Sequence, residues 1–320
     1  MGTSLLKNIS AWLSLGILLM ESLSAQTPSD AILMPGRSAC VLAGYEIGRF
    51  DQYWEGKRLR ENQTIATVSR STFLPMIAVG ITGKWDVYAA LPYVKTASSE
   101  PNGGFFAGAS GLQDLMVATK YEFLKKQLGN GELTALASLS FSTPASRYLS
   151  DYMPYSLGLG APELGWRAIG QYKWSNGPYA RLTAAYLWRG YTEAERDYYY
   201  NNGSRYTAWM DVPSAWNVEA VFGAWLLDNA LRLELQYSKL AATSGDDIRP
   251  YNAPQPTNRM DMDRMGALAQ YYVPFIKGLG LLAYHQRIFN GANAPRMNSS
   301  GFGITWQFNY LNPTPKNHEN

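Results

Sequence analysis

The chain has 320 residues and a formal net charge of +3, which is too small to indicate a nucleic-acid-binding protein. Charged residues make up 17% of the sequence, whereas aromatic residues reach 13% and include 22 Tyr and 10 Trp. A mean hydropathy of −0.23 excludes a bundle of membrane-spanning helices. Few charges, many aromatic residues and moderate hydropathy are typical of a β-barrel with a lipid-facing outer surface and a polar interior.

The first 25 residues have the pattern of a secretory signal peptide. Lys7 supplies a positive charge, Ala11–Met20 is an apolar run, and the small residues around Ala25 predict cleavage before Gln26. The apolar run is shorter than the ~20 residues that a spanning helix needs, although a retained membrane anchor is the alternative. Cys40 is the only cysteine, follows no lipidation motif and is assigned no role.

Residues 26–42 form a predicted N-terminal segment that lies in the periplasm or in the lumen. Its apolar stretch Ala31–Pro35 is too short for a lipid-facing strand, and leaving it in water is unfavourable. One hypothesis is that the segment partly occludes the barrel, with Ile32 and Leu33 as its anchors. The alternative is a flexible leader.

Segments with alternating apolar and polar residues fill the predicted barrel region, 43–310, ahead of a polar tail at 311–320. Most are longer than the five or six residues usual in soluble sheets, as tilted membrane strands are. They lie at approximately 43–54, 66–82, 85–94, 112–125, 132–142, 163–174, 178–190, 215–227, 230–242, 263–274, 278–290 and 299–310.

Short and long connections alternate between these segments. The short ones, at 82–84, 127–131, 175–177, 228–229 and 275–277, have the composition of hairpin turns. The long ones lie at 55–65, 95–111, 143–162, 191–214, 243–262 and 291–298. This pattern predicts an all-β fold, a single antiparallel transmembrane β-barrel of about 12 strands with short periplasmic turns and long extracellular loops. A soluble sandwich is the alternative.

The final segment shows the alternation most clearly. From Phe302 to Tyr310 every even position is large and apolar or aromatic, and every odd position is Gly, Thr, Gln or Asn. Such an aromatic C-terminal strand resembles the signal by which bacterial barrels are recognised for membrane insertion. We therefore expect the barrel-assembly machinery and outer-membrane lipid as partners, and the bacterial outer membrane as the location.

Two stretches resemble the "meta-pathway of phenol degradation" outer-membrane family. Val79–Val94 matches its turn and the strand that closes on Leu-Pro-Tyr, and Gly111–Tyr121 matches its Gly-Leu-Gly-Asp-Leu strand, with Gln113 in place of a glycine. The resemblance covers roughly residues 66–125. It implies an outer-membrane barrel with a transport function, grouped with channels for aromatic and fatty hydrophobic solutes.

Charged residues on the polar phase of the strands are the candidate lumen residues. They either form a cationic-leaning passage for a solute or pair with one another to hold a narrow interior together. The candidates are Asp114, Lys120, Glu122, Arg167, Arg181, Arg189, Glu219, Arg232, Glu234, Arg264, His285 and Arg287.

The 191–214 loop is rich in aromatic residues. Tyr and Trp side chains offer flat amphipathic surface to sugars, aromatic compounds or partner proteins, or they pack on one another. The loop candidates are Tyr198, Tyr199, Tyr200, Tyr206 and Trp209.

Motifs for catalysis are weak. Only His285 and His318 could act as a histidine base, and no serine signature accompanies either, so the chain is not predicted to be an enzyme. A serine or an aspartate beside His285 in the folded protein would favour the enzyme alternative. No cofactor, metal site or nucleic-acid partner is predicted, and the acidic pairs near Asp246 and Asp261 are interpreted as solvated loop charges.

The function predicted from these features is an outer-membrane channel or transporter for small solutes, with hydrophobic or aromatic compounds as a candidate class. The alternative is a structural or adhesive outer-membrane barrel whose lumen is closed by paired charges.

Overall fold

The computed structural model describes residues 27–101, 105–248 and 254–311. The predicted signal peptide and nearly all of the predicted C-terminal tail lie outside these ranges. The described chain is all-β. Within the same ranges, no helix has the length and apolar character needed to cross a membrane.

Strands β1 to β20 occur in the following order. They are β1 Ser38–Phe50, β2 Gln52–Glu55, β3 Arg58–Glu61, β4 Val68–Thr82, β5 Trp85–Ala90, β6 Tyr93–Ser98, β7 Gly108–Leu112, β8 Asp114–Leu128, β9 Gly131–Pro144, β10 Glu163–Trp174, β11 Pro178–Arg189, β12 Tyr191–Glu193, β13 Tyr199–Tyr200, β14 Ser204–Arg205, β15 Trp209–Asp211, β16 Ala215–Leu226, β17 Leu231–Ala242, β18 Asp261–Tyr272, β19 Leu279–Ala292 and β20 Asn298–Asn309.

The large sheet closes on itself as a 12-strand antiparallel barrel, which confirms the predicted fold. β5 and β6 form one strand of the wall, and β7 and β8 form another. β1 pairs with β20 on one side and with β4 on the other, so the two ends of the chain's sheet meet. Closure leaves no open sheet edge along the wall, as a lipid environment requires.

Two adjacent wall strands are interrupted at the same level. The first breaks at Leu91 and Pro92, and the second breaks at Gln113, whose N–H donates to the Pro92 carbonyl at 2.9 Å. Pro92 has no N–H to donate to a ladder, so a proline here ends regular pairing. The sequence pattern predicted both strands but not the breaks.

The two faces of the wall differ as the alternation predicts. Phe302, Ile304 and Trp306 are 61%, 51% and 44% exposed on the outer face, whereas Thr305 between them is buried. On β17, Arg232 and Glu234 are each 5% exposed because they point into the barrel. Large apolar side chains outside and charges inside are the reverse of a soluble core and are typical of a membrane barrel.

The loops at the two ends of the barrel are unequal. Short turns join the strands at one end, called here the short-turn end, and one of them places Leu227, Asp228 and Asn229 in the left-handed region with φ of 53°, 54° and 67°. The opposite, long-loop end carries additional hairpins formed by β2 with β3, β12 with β15 and β13 with β14.

Most predicted strands lie within a few residues of those observed, and 163–174 coincides with β10. The first is displaced, since it was predicted at 43–54 and β1 spans Ser38–Phe50. Tyr53 and Trp54 belong instead to β2 of the first loop hairpin. Residues 38–42, predicted to precede the barrel, are therefore part of its wall.

The face assignment can be tested with a single introduced charge. Ile304→Arg places a guanidinium on the exposed middle of the outer face, whereas Gln307→Arg places one on the inner phase of the same strand. A lipid-facing Arg costs ~2–4 kcal/mol at the midplane. We expect Ile304→Arg to give much less heat-modifiable folded protein in phospholipid vesicles, and equal yields of the two variants would contradict the assignment.

Candidate functional site

The lumen is the candidate functional site, and most predicted lumen residues do point into it. Most candidates lie on the inner phase of their strands, which alternates with the exposed apolar phase. These candidates are Asp114, Lys120, Glu122, Arg167, Arg181, Arg189, Glu219, Arg232, Glu234 and Arg264. Their proposed functional roles stay predictions.

His285 and Arg287 are misplaced by the sequence prediction, because both are exposed on the outer face of β19. The inner phase of that strand holds Tyr284 and Gln286, which donate hydrogen bonds to Glu46 at 2.8 and 2.9 Å. Both phases of this strand carry polar residues, so alternation alone did not decide which faces inward.

His285 does have a serine beside it. Its Nδ1 lies 2.9 Å from Ser300 Oγ on the neighbouring strand, and the contact is exposed on the outer face. No described side chain hydrogen-bonds to the other ring nitrogen, so nothing holds the imidazole as a general base in the manner of a catalytic triad.

A charged network lines the inner wall of β11, β16 and β17 in the short-turn half of the lumen. Arg181 contacts Glu234 at 3.0 Å and Glu219 at 3.4 Å, and the Tyr179 hydroxyl donates to Glu234. Arg232 lies 4.0 Å from Glu234. Except for the partly exposed Glu219, these side chains are almost fully buried, and mutual pairing offsets the cost of removing their charges from water.

The N-terminal segment, residues 27–37, enters the lumen at the short-turn end. The Lys120 ammonium is completely buried and donates to the Thr27 carbonyl at 2.8 Å, the Ile32 carbonyl at 2.7 Å and the Asp30 carboxylate at 2.8 Å. A buried ammonium requires several acceptors, and this segment supplies them. The interaction fixes the segment against the inner wall of β8.

A second anchor lies further along the segment. The Met34 N–H donates to the Asp86 carboxylate at 3.0 Å, and the Tyr88 hydroxyl donates to the same group at 3.0 Å. Met34 is 1% exposed and packs with Tyr88. A Cβ on Gly80 would come within 2.3 Å of the Pro35 carbonyl, so only glycine allows the segment to pass there.

The predicted anchors of this segment, Ile32 and Leu33, are only partly buried. Asp30 and Met34 are the buried side chains. The hypothesis relied on apolar surface, whereas the segment is held chiefly by charge and hydrogen bonds to Lys120 and Asp86, which a hydropathy pattern does not reveal.

The electrostatics favour the ionised form of Asp30. Burial by itself raises the pKa of this carboxyl, but the positive charges of Lys120, Arg232 and Arg181 together hold it below its ordinary value of 3.8. The Asp30 carboxylate therefore lies within the field of the lumen network as well as in direct contact with Lys120.

At the long-loop end, the 145–162 loop folds into the mouth of the barrel. Arg70 on β4 donates to the carbonyls of Ser156 and Leu157. Thr96 on β6 donates to the Tyr155 carbonyl at 2.7 Å, and the Tyr155 side chain is completely buried. Sequence reasoning treated this stretch only as an extracellular connection, because its inward fold depends on these partners in other strands.

A cavity of about 830 Å³ lies inside the long-loop end. Its wall is mostly apolar and includes five methionines, with a few charged groups at its margins. The methionines are Met116, Met153, Met260, Met262 and Met297, and the charged groups are Arg70, Asp114, Glu163 and Arg189. Glu163 and Arg189 pair at 2.8 Å and Asp114 accepts from Tyr148, so most of this charge is compensated. Flexible methionines suit an apolar ligand of variable shape.

The predicted aromatic loop residues partly pack on one another. Tyr198 and Tyr206 have ring centroids 5.2 Å apart, and buried Tyr199 donates to the Trp209 carbonyl at 3.2 Å. The Tyr200 carbonyl accepts from Gln255 at 2.6 Å. Only Tyr206 and Trp209 are largely exposed, at 83% and 55%. The cavity does not include these side chains.

Sequence reasoning did not select several important lumen residues. Asp86 and Tyr88 could have been found, because the exposed Trp85 and Val87 fix the phase of their strand. Arg70 could not, because it stands between two serines where the alternation is lost.

Comparison with known proteins supports the fold. The structure resembles an outer membrane channel from Pseudomonas putida F1 with a TM-score of 0.69 and 13% identity, over 89% of this chain and 100% of that one. The chain has the fold of that channel. The KdgM porin, at a TM-score of 0.42, 7% identity and 83% and 99% coverage, and the NanC porin, at 0.45, 8% and 84% and 98%, are more distant. No protein-family model and no curated protein matches the sequence.

The attachment of the N-terminal segment can be tested by hydrogen exchange. Lys120→Met leaves Asp30 as an unpaired buried charge, and the segment can escape this by moving to water. We expect backbone amides of residues 28–36 to exchange at least about tenfold faster in Lys120→Met. Lys125→Met is the matched control, since Lys125 lies on the same strand in an exposed ion pair. Equal exchange in the two variants would contradict the anchor.

Acid should also loosen the segment. The pKa of Asp30 in the docked state is lower than its ordinary value of 3.8, so the ionised carboxylate stabilises the docked segment fully above pH 3.8. This stabilisation disappears as the pH falls through the lower pKa of the docked state. We expect protection of residues 28–36, corrected for intrinsic exchange, to fall below pH 3.8 in the parent. Asp30→Asn should show weaker protection without this acid dependence, and identical pH profiles would contradict the assignment to Asp30.

Proposed function

We propose that the protein is an outer-membrane channel for small hydrophobic or aromatic solutes. A solute enters from the extracellular side, which is the long-loop end, and occupies the methionine-lined cavity. The N-terminal segment then limits passage to the periplasm, and its displacement from Lys120 opens the path.

The cavity carries this proposal. A space of about 830 Å³ with an apolar wall is of the size that encloses small organic ligands. Burial of a phenol-sized molecule there removes apolar surface from water, whereas an ion or a sugar would find few uncompensated polar groups. The cavity therefore selects by hydrophobicity, in agreement with the solute class that the family resemblance implies.

The location follows from the exposed outer face and the predicted export signal. An apolar belt around a closed barrel is stable only in lipid, and the signal peptide would deliver the chain across the inner membrane. Outer-membrane lipid and the barrel-assembly machinery are the proposed partners, the latter on the basis of the aromatic C-terminal strand.

A closed structural barrel is the second candidate. The network around Arg181 and Glu234 and the docked segment both fill the short-turn half of the lumen. A barrel with a permanently filled lumen would not conduct. The cavity at the other end favours the channel, because a purely structural barrel has no need of an apolar space in its mouth.

No enzymatic activity is proposed. Among the described residues, the Ser300 and His285 pair has no group to orient the imidazole.

The proposal predicts that a charge in the cavity blocks apolar solutes selectively. Met262→Asp places a carboxylate in the apolar wall, whereas Met262→Leu conserves volume and apolar character. We expect uptake of a phenol-sized solute into proteoliposomes to fall at least about tenfold in Met262→Asp and little in Met262→Leu. Equal uptake by all three proteins, or an equal loss for a small sugar, would contradict selection in the cavity.

A further inference from the structure

The outer face of the barrel has an unusual polar sector near the long-loop end, around β1, β19 and β20. Arg49 and Arg287 lie on either side of Asn298 in one register row. The next row towards the middle of the barrel contains Ser300 and His285. All five side chains are exposed and point away from the lumen.

The two guanidiniums have no partner within the described part of the chain. Neither Arg49 nor Arg287 makes a hydrogen bond or ion pair with any described residue, although both belong to regular strands. The outward carboxylate of Asp263 is already occupied by Lys239 at 3.6 Å, Tyr237 at 2.8 Å and Asn290 at 2.6 Å. Asp51, which follows β1, forms no ion pair with Arg49. Two positive charges therefore face outward without compensation.

The spacing suits a ligand with more than one anionic group. Neighbouring strands lie about 4.8 Å apart. Because β20 lies between β1 and β19, the backbones of Arg49 and Arg287 are ~10 Å apart. Asn298 between them, and Ser300 with His285 below, add hydrogen-bonding groups. Guanidinium groups bind phosphate with paired, charge-assisted hydrogen bonds.

An apolar surface continues directly below this sector. The row beyond Ser300 contains Tyr45 and Phe302, whose ring centroids are 5.8 Å apart. Acyl chains extending from a headgroup bound at Arg49 and Arg287 would lie on these rings. Cationic groups above and aromatic groups below match a phosphorylated lipid in both of its parts.

The sector is not simply the part of the barrel surface that lies at the membrane–water interface. On another part of the outer face near the long-loop end, Trp166, Tyr186 and Trp216 form an uncharged aromatic belt with ring centroids 6.5 and 5.0 Å apart. Arg49 and Arg287 are the only outward-facing arginines on the described wall strands, whereas outward lysines such as Lys95 and Lys239 lie singly on other strands. The concentration of two guanidiniums in one sector indicates a site.

We propose that Arg49, Arg287 and Asn298 bind the phosphate groups of a glycolipid in the outer leaflet, with its acyl chains on Tyr45 and Phe302. This inference rests on the proposed outer-membrane location, but it is independent of the solute and of the lumen. The bound lipid would seal and orient this side of the barrel.

Lipid binding in detergent tests the inference directly. The folded protein is titrated with bisphosphorylated lipid A and with its fully dephosphorylated form, and bound lipid is counted by native mass spectrometry. We expect the parent to bind the phosphorylated lipid at least about tenfold more tightly than the dephosphorylated one. Arg49→Gln with Arg287→Gln should abolish that preference, whereas Arg49→Lys with Arg287→Lys should retain part of it.

Two controls identify the source of any effect. Lys57→Gln with Arg58→Gln removes the same charge from the exposed β2–β3 hairpin and should leave the preference unchanged. Millimolar inorganic phosphate should not displace the lipid, since it lacks the acyl chains; full displacement would indicate a free phosphate site instead.

Equal binding of both lipids by the parent, or an unchanged preference in the double Gln variant, would overturn the inference. The proposed location is tested separately: failure of the parent to insert into bilayers as heat-modifiable folded protein would contradict it. A preference lost equally in the hairpin control would show only a general effect of net charge.

Discussion

The buried ammonium of Lys120 is the interaction on which the interior of this barrel depends. It lies in the lumen with no exposure to water, and the strand carbonyls around it are engaged in the sheet. The N-terminal segment supplies its acceptors, and Asp30 neutralises its charge. Without that segment the ammonium would need water in the lumen, so the charge of Lys120 and the filling of the short-turn end are physically linked.

The two halves of the lumen therefore have opposite character. The short-turn half is filled by charges and by a chain segment held through them, whereas the long-loop half encloses an apolar cavity beneath an inward-folded loop. In the proposed channel, a solute meets an apolar entrance first and polar contacts that close the exit second. The proposal assigns selection of the solute to the cavity, and control of its passage to the docked segment.

Strand positions and wall topology could be predicted from sequence because every wall strand must separate an apolar from a polar face. The prediction was inaccurate where that requirement is relaxed. Tyr53 and Trp54 extend the apparent alternation beyond β1 although they belong to a loop hairpin. His285 and Arg287 lie near the rim, where outward polar residues are tolerated, so their phase was assigned wrongly.

The contacts inside the barrel could not be predicted from the order of apolar and polar residues along the sequence. The docking of Asp30 at Lys120 joins residues 90 positions apart, and the capture of the 145–162 loop by Arg70 spans 86 and 87 positions. Alternation shows that Lys120 faces inward, but it does not show which segment of the chain meets it, and at Arg70 the alternation is lost. Such pairings depend on the three-dimensional closure of the barrel.

Single-channel recording of a chain that lacks residues 27–36 tests the central claim most directly. Arg37 and β1 are retained, so the wall can still close through the pairing of Ser38 with Asn309. If the segment limits passage, the shortened protein will show larger or longer-lived conductance steps than the parent under the same conditions. Unchanged conductance in a correctly folded shortened barrel would show that the segment is a passive tether and would contradict the account.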